Sequence, residues 1–338
     1  MIDKNMHKRL MWIDIGKAIA IQAVVLDHLL WTHINEYSRL LWIHTYFSVI
    51  CFIFLAGVTA SFSIDKKGHG TFFSVATSFW HNKLALIAYY IIATVIWIGI
   101  LMPSEFWTLS VFIQKFMYFD VLQPYYFLFI LFQLYALAPF LYALIHRMPN
   151  AIWKIFVAVL VYWIGTKAGL LSLLPHYGPP LYMFLGGPHL GIFTFGMVYI
   201  SLEDRYKTLA QVVAIPLFIY CEWLICTNDG NGISSLPTVF HTSWVISGVL
   251  ILHLTIDRTK HYFARFYALL SLIGKASVTI FLWHFQFVLW FMRTEKFNGV
   301  FILLPFLSII GGLTLVHHIG IKLFPKYRTY GTSSTISQ

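Results

Sequence analysis

Arg9–Trp31 reads RLMWIDIGKAIAIQAVVLDHLLW. It is apolar over more than 20 residues, and about 20 such residues in a helix cross the hydrocarbon of a bilayer. Lys4, Lys8 and Arg9 precede it, like the start of a signal peptide. No small-residue cleavage site follows before Trp31, so the run is read as a retained first membrane helix.

Working outward, nine further apolar runs lie near residues 40–63, 83–102, 124–146, 151–173, 180–200, 208–226, 238–256, 268–292 and 299–322. The stretch 107–119 is apolar but short, and reads as an interfacial or re-entrant helix on the outer face. The composition agrees: 59% of the residues are hydrophobic and 11% are charged, against about 25% charged in soluble domains. The expected fold is therefore all-α: an integral membrane protein with about ten transmembrane helices. A membrane domain spans 1–326 and a polar cytoplasmic tail, expected to be disordered, spans 327–338. No internal repeat or appended soluble domain is evident.

Charge placement orients the helices. With both termini cytoplasmic, sixteen of the 23 Lys and Arg residues fall in inner segments and four in outer loops, as the positive-inside rule requires. The net charge of +10 is thus a topology signal, and nucleic acid is not an expected partner. Cys51, Cys221 and Cys226 form no Cys-x-x-Cys, giving neither a disulfide framework nor a zinc site. They read as small buried hydrophobes. No histidine pair has metal-ligand spacing, so no metal is expected.

Ionisable groups inside membrane helices are costly and mark candidate sites. The first helix carries Asp14, Lys17, Asp27 and His28. Asp14 and Lys17 are three apart and can pair. Lys17 and His28 are eleven apart, which is about 20° past three turns, so both face one side with ~16 Å of rise between them. Asp27 points about 100° from His28 and is not expected to orient its imidazole. The alternative is structural: Lys17 snorkels or pairs with Asp14, and His28 bonds a neighbouring helix. Weaker candidates are Glu222, Lys275, Ser277 and His284, together with Tyr125, Tyr126, Gln133 and Tyr135. Taken singly, each is as well explained by polar helix–helix contact. The histidines at 7, 69, 81, 146 and 261 read as solvated.

These residues resemble a known pattern. Lys17, ten residues and His28, preceded by Trp12-Ile-Asp14, are similar to the first helix of the membrane-bound acyltransferase-3 family. Further along, Cys51-Phe-Ile-Phe-Leu-Ala-Gly57 resembles its second helix, with Ala56 where serine is usual. Tyr126-Phe-Leu-Phe-Ile-Leu-Phe-Gln133-Leu-Tyr135 and Phe193-Thr-Phe-Gly196-Met resemble central motifs. Ile273-Gly274-Lys-Ala-Ser277-Val-Thr-Ile-Phe-Leu282-Trp283-His284 resembles one near the end, with Phe281 in place of tyrosine. The likeness covers residues 9 to about 322, and the first helix looks closest to the fucose 4-O-acetylase-like branch.

The resemblance implies a multi-pass protein of a bacterial cytoplasmic membrane that moves an acyl group, commonly acetyl. The donor would be cytoplasmic acyl-CoA, with no tightly bound cofactor. The acceptor would be a hydroxyl of a cell-surface glycan or its lipid-linked precursor. Without a fused SGNH-type hydrolase module, the membrane domain is expected to complete the transfer or hand its product on. Beyond the bilayer and these two substrates, a homo-oligomer is compatible with the sequence. His28 and Lys17 would carry the chemistry, His28 as general base or as transient acyl carrier. Asp14, Asp27, Tyr125, Tyr126, Gln133, Tyr135, Ser277 and His284 would line the substrates. A glycan or lipid transporter is the competing expectation, although no second copy of Lys17-x10-His28 gives the internal symmetry transporters often show. A sensor without chemistry would leave the first-helix charges unexplained.

Overall fold

In the computed structural model, residues 10–31, 36–66, 71–101, 108–117, 119, 121–170, 187–227, 238–293 and 302–323 are described. The basic amino-terminal cluster, the first half of the expected span 180–200 and the tail 327–338 lie outside them. Among the described residues every regular element is helical, as the bilayer demands, because a helix satisfies its backbone polar groups internally. Helices occupy each of the ten expected runs. Among the described residues, six stretches are long and apolar enough to cross a membrane: Leu41–Asp65, Phe72–Trp97, Tyr126–Arg147, Asp204–Thr227, Val239–Thr259 and Leu303–Leu323. A bent pair makes a seventh.

The chain divides into two compact units, Met1–Cys51 with Gln211–Gln338, and Phe52–Ala210. The first contains α1 (Met11–Leu30), α2 (Glu36–Thr45), the start of α3 (Phe47–Asp65), most of α10 (Asp204–Thr227), and α11 (Thr238–Thr259), α12 (Ala264–Lys275), α13 (Ser277–Arg293) and α14 (Leu303–Leu323). Here α1 is central. It packs most extensively on α12 and also touches α2, α11, α13 and α14. Both Asp14 (3% exposed) and the apolar residues around it are buried. A Cβ on Gly274 would collide with the Asp14 backbone carbonyl, so α12 approaches α1 backbone to backbone. That approach lets Ser271 Oγ donate to Asp14 Oδ2 at 3.1 Å. A hydrogen bond to a charged group contributes about 1.5–3 kcal/mol, and a buried carboxylate without one costs more.

Two expected runs are each divided between two helices, although Leu41–Asp65 still counts as one crossing stretch. The run near 40–63 is interrupted at Tyr46, between α2 and α3. The run near 268–292 bends by 69° at Ala276, between α12 and α13. There the Ala276 N–H bonds back to Leu272 and Ile273, closing α12 before α13 begins at Ser277.

The second unit holds the rest of α3 with α4 (Phe72–His81), α5 (Leu84–Leu101), α6 (Leu109–Met117), α7 (Tyr126–Arg147), α8 (Ala151–Leu170) and α9 (His189–Ser201). Hydropathy does not foresee α4, which opens on a Thr71 cap bonded to the Ser74 N–H at 3.4 Å. The short apolar stretch expected at 107–119 contains α6. The α3–α9 crossing is made by two glycines: a Cβ on Gly57 would strike the Phe193 carbonyl, and one on Gly196 the Phe54 carbonyl. Small residues that admit a neighbouring backbone are the usual basis of close helix packing in membranes.

A side chain at the α1–α12 contact should unseat it, whereas one at Gly311, with nothing within 4 Å, should not. Gly274→Ala is expected to destabilise the purified protein by at least about 1–3 kcal/mol and lower its thermal midpoint in detergent. Gly311→Ala is expected to leave that midpoint unchanged; equal midpoints for the two variants would mean the contact is not tight.

Candidate active site

His28 lies in the last turn of α1, with 14% of its side chain exposed. Its ring stacks against that of His284 on α13, with centroids 5.3 Å apart and planes 28° apart. Phe285 meets it edge-on at 5.0 Å. His284 is fully buried. Its Nδ1 lies 2.8 Å from the Phe281 carbonyl and 3.1 Å from that of Ile280. Two carbonyls can only accept, so Nδ1 carries the proton and Nε2 of the neutral ring is an acceptor. That Nε2 is buried without a hydrogen-bond partner. In the neutral ring His284 thus offers a lone pair at Nε2.

Asp27 also departs from expectation. Its Oδ2 lies 3.9 Å from His28 Nδ1, because adjacent side chains on a helix can converge through their rotamers even when their Cα–Cβ directions diverge. The gap is longer than a hydrogen bond. Asp27 Oδ1 accepts from Thr45 Oγ1 of α2 at 2.8 Å, which fixes the carboxylate. Among the described residues none hydrogen-bonds the His28 ring.

Elsewhere in this unit, Asp14 is engaged with Ser271, and Lys17 is partly buried on α1. Ser277 opens α13 and is buried, two turns before His284 and so about 10.5 Å away along the axis. Thus the first unit brings together His28, His284 and Asp27, and keeps Ser277 and the Asp14–Lys17 turn at other levels.

Tyr125, Tyr126, Gln133 and Tyr135 belong to the second unit. Tyr125 is fully buried, edge-on to Tyr90 at 5.6 Å, and Tyr126 opens α7. Gln133 Nε2 donates to the Phe129 carbonyl of its own helix at 3.2 Å. The Tyr135 ring lies under Lys83 Nζ, 4.3 Å from its centroid, a cation–π contact.

Three polar clusters escaped the sequence reading. His44 Nε2 is 2.6 Å from Glu222 Oε1, whose Oε2 accepts from Trp244 Nε1 at 2.7 Å. His253 stacks on Trp12 at 4.2 Å and lies 3.1 Å from Asp257. His317 Nδ1 meets Thr279 Oγ1 at 2.9 Å. Each of these histidines, like Glu222, is a polar group within an apolar run, but the sequence does not show which of them meet. The cysteines also divide: Cys51 and Cys221 are buried as expected, whereas Cys226 is exposed. The exposed His81, His146 and His261 agree with their solvated reading.

The described site is a histidine pair on two membrane helices, with one ring unbonded and a carboxylate beside it. Such a pair could serve proton transfer or acyl transfer, and the choice falls to the comparisons with known proteins. No curated protein and no solved structure matches the chain. The family model described as an acyltransferase domain matches residues 10–317, which takes in α1, the histidine pair and most of α14. The chain is a multi-pass membrane protein that belongs to the acyltransferase-3 family.

Proposed function

We propose that the protein is an O-acyltransferase that moves an acyl group, most simply acetyl, from cytoplasmic acyl-CoA to a hydroxyl of a cell-surface glycan or its lipid-linked precursor. The observation that carries this reading is His28: a ring without a hydrogen-bond partner among the described residues, held against buried His284 and beside Asp27, in a chain whose family transfers acyl groups.

The layout of α1 suits a donor from inside. The positive-inside pattern puts the Lys17 end of α1 toward the cytoplasm, where an ammonium can meet the phosphates of CoA. The pantetheine arm is long and uncharged, and can run the ~16 Å of rise from Lys17 to His28. The thioester carbonyl then arrives beside the imidazole. A neutral imidazole can take a proton from an attacking hydroxyl.

In the direct route, His28 takes the acceptor's hydroxyl proton as that oxygen attacks the thioester carbon. A C–O bond forms, the C–S bond breaks, and the proton passes on to the departing CoA thiolate. In the two-step route, a ring nitrogen of His28 attacks the thioester carbon, an N–C bond forms and the C–S bond breaks, and CoA leaves as the thiolate with the ring's N–H proton; the hydroxyl oxygen then attacks the acyl-imidazole, a C–O bond forms as the N–C bond breaks, and the hydroxyl proton returns to the ring. In either, Asp27 stabilises positive charge that develops on the ring, and His284 packs the ring in place. A transporter would carry the same buried charges without consuming thioester.

The test uses purified protein in nanodiscs with radiolabelled acetyl-CoA and cell-envelope glycan. His28→Ala is expected to cut label transfer and free-CoA release by about 10²–10⁴-fold while keeping the wild-type thermal midpoint and elution volume. Wild-type turnover in that variant would remove His28 from the mechanism; no CoA release by the wild-type protein would remove acyl transfer itself. Lys17→Ala is expected to raise the apparent KM for acetyl-CoA about tenfold or more, the worth of one charged hydrogen bond. An unchanged KM would make Lys17 structural.

A further inference from the structure

The His44–Glu222 contact has a third member. Cys226, one turn beyond Glu222 on α10, places its thiol 3.8 Å from the same Oε1 that faces His44. The imidazole Nε2, carboxylate oxygen and sulfur lie within 4.8 Å of one another. A histidine–carboxylate hydrogen bond accounts for two of these groups. The thiol, one turn along the same helix, can donate to that oxygen as well, so three donor atoms of three different kinds converge on one point.

A cation would account for all three. Glu222 and Cys226 are four apart, so one helix face presents both, and α2 brings His44 to meet them. The second Glu222 oxygen is held by the Trp244 indole N–H, the kind of outer partner that orients a ligating carboxylate. Imidazole nitrogen, thiolate sulfur and one carboxylate oxygen suit Zn2+ and exclude Ca2+ and Mg2+ as the preferred ion, since those favour oxygen ligands. Ligand bonds of about 2.0–2.3 Å put tetrahedral ligands roughly 3.3–3.8 Å apart. The sulfur–oxygen separation is already in that range, and an ion would open the 2.6 Å His44–Glu222 contact to about 3.3 Å. About 30% of each of those two side chains is exposed.

We infer that His44, Glu222 and Cys226 form a Zn2+ site with three protein ligands and a fourth position open to water or another donor. The ion ties α2 to α10. Because Thr45, next to His44, holds Asp27 beside His28, the site also anchors the helix that sets the carboxylate next to the histidine. The inference stands on the ligand geometry and does not require acyl transfer.

The experiment titrates the purified full-length protein, its affinity tag removed, with Co2+ and then Zn2+ in detergent. The wild type is expected to take up one Co2+ per chain with a thiolate-to-cobalt charge-transfer absorption, which Zn2+ then abolishes by displacement. Cys226→Ser, at an exposed position where it should fold normally, is expected to lose that absorption and to bind Zn2+ at least tenfold more weakly. His44→Gln is expected to weaken Zn2+ binding similarly. A wild type that takes up no Co2+ in modest excess, or a Cys226→Ser variant that binds Zn2+ as the wild type does, would overturn the site and leave a hydrogen-bonded clasp only.

Discussion

A helix that carries Asp14, Lys17 and Asp27 cannot turn all its faces to lipid. The first unit is organised around that constraint. Its neighbours α2, α11, α12, α13 and α14 enclose α1, and two of its three charged groups have visible reasons for their placement. Asp14 is reached by Ser271 because Gly274 lets the α12 backbone close on α1. Asp27 is reached by Thr45. Burial that hydrophobicity alone would oppose is thus carried by hydrogen bonds, each from a different helix, and the same enclosure seats His28 against His284.

The second unit solves a different problem. Its described interior is aromatic rather than ionic. Tyr90 is sandwiched by Phe116 and Phe119 and met edge-on by Tyr125, and its hydroxyl donates to the Phe116 carbonyl at 2.8 Å. Phe119 is held at φ 57°, a left-handed backbone unusual for a bulky residue, by ring contacts on several sides. The polar ends of this unit gather where charge is dense: Tyr142 bonds Asp65 and stacks on His146.

Helix positions were legible in the sequence because hydropathy records what must be buried or meet lipid. The breaks at Tyr46 and Ala276 were not, since both halves of each run are apolar and a span-length window averages over the interruption. The helix α4 escaped for the opposite reason: ten residues with Ser, Thr and Asn around them fall short of a membrane signal. At the site, the family resemblance singled out His28 and His284, and the structure makes them neighbours. Helical rotation alone misplaced Asp27, because it follows Cα–Cβ directions and not side-chain reach. His44 and Glu222 are 178 residues apart in the chain, and nothing local in either segment announces the other.

The uneven burial of the three thiols has a practical consequence. Cys51 and Cys221 are buried while Cys226, near the end of α10, is exposed, so a thiol reagent that reaches that end of the helix finds one cysteine and leaves the other two. A fluorophore or spin label placed there, without any engineered background, would sit one helical turn from Glu222 and report on how α2 and α10 move together during turnover.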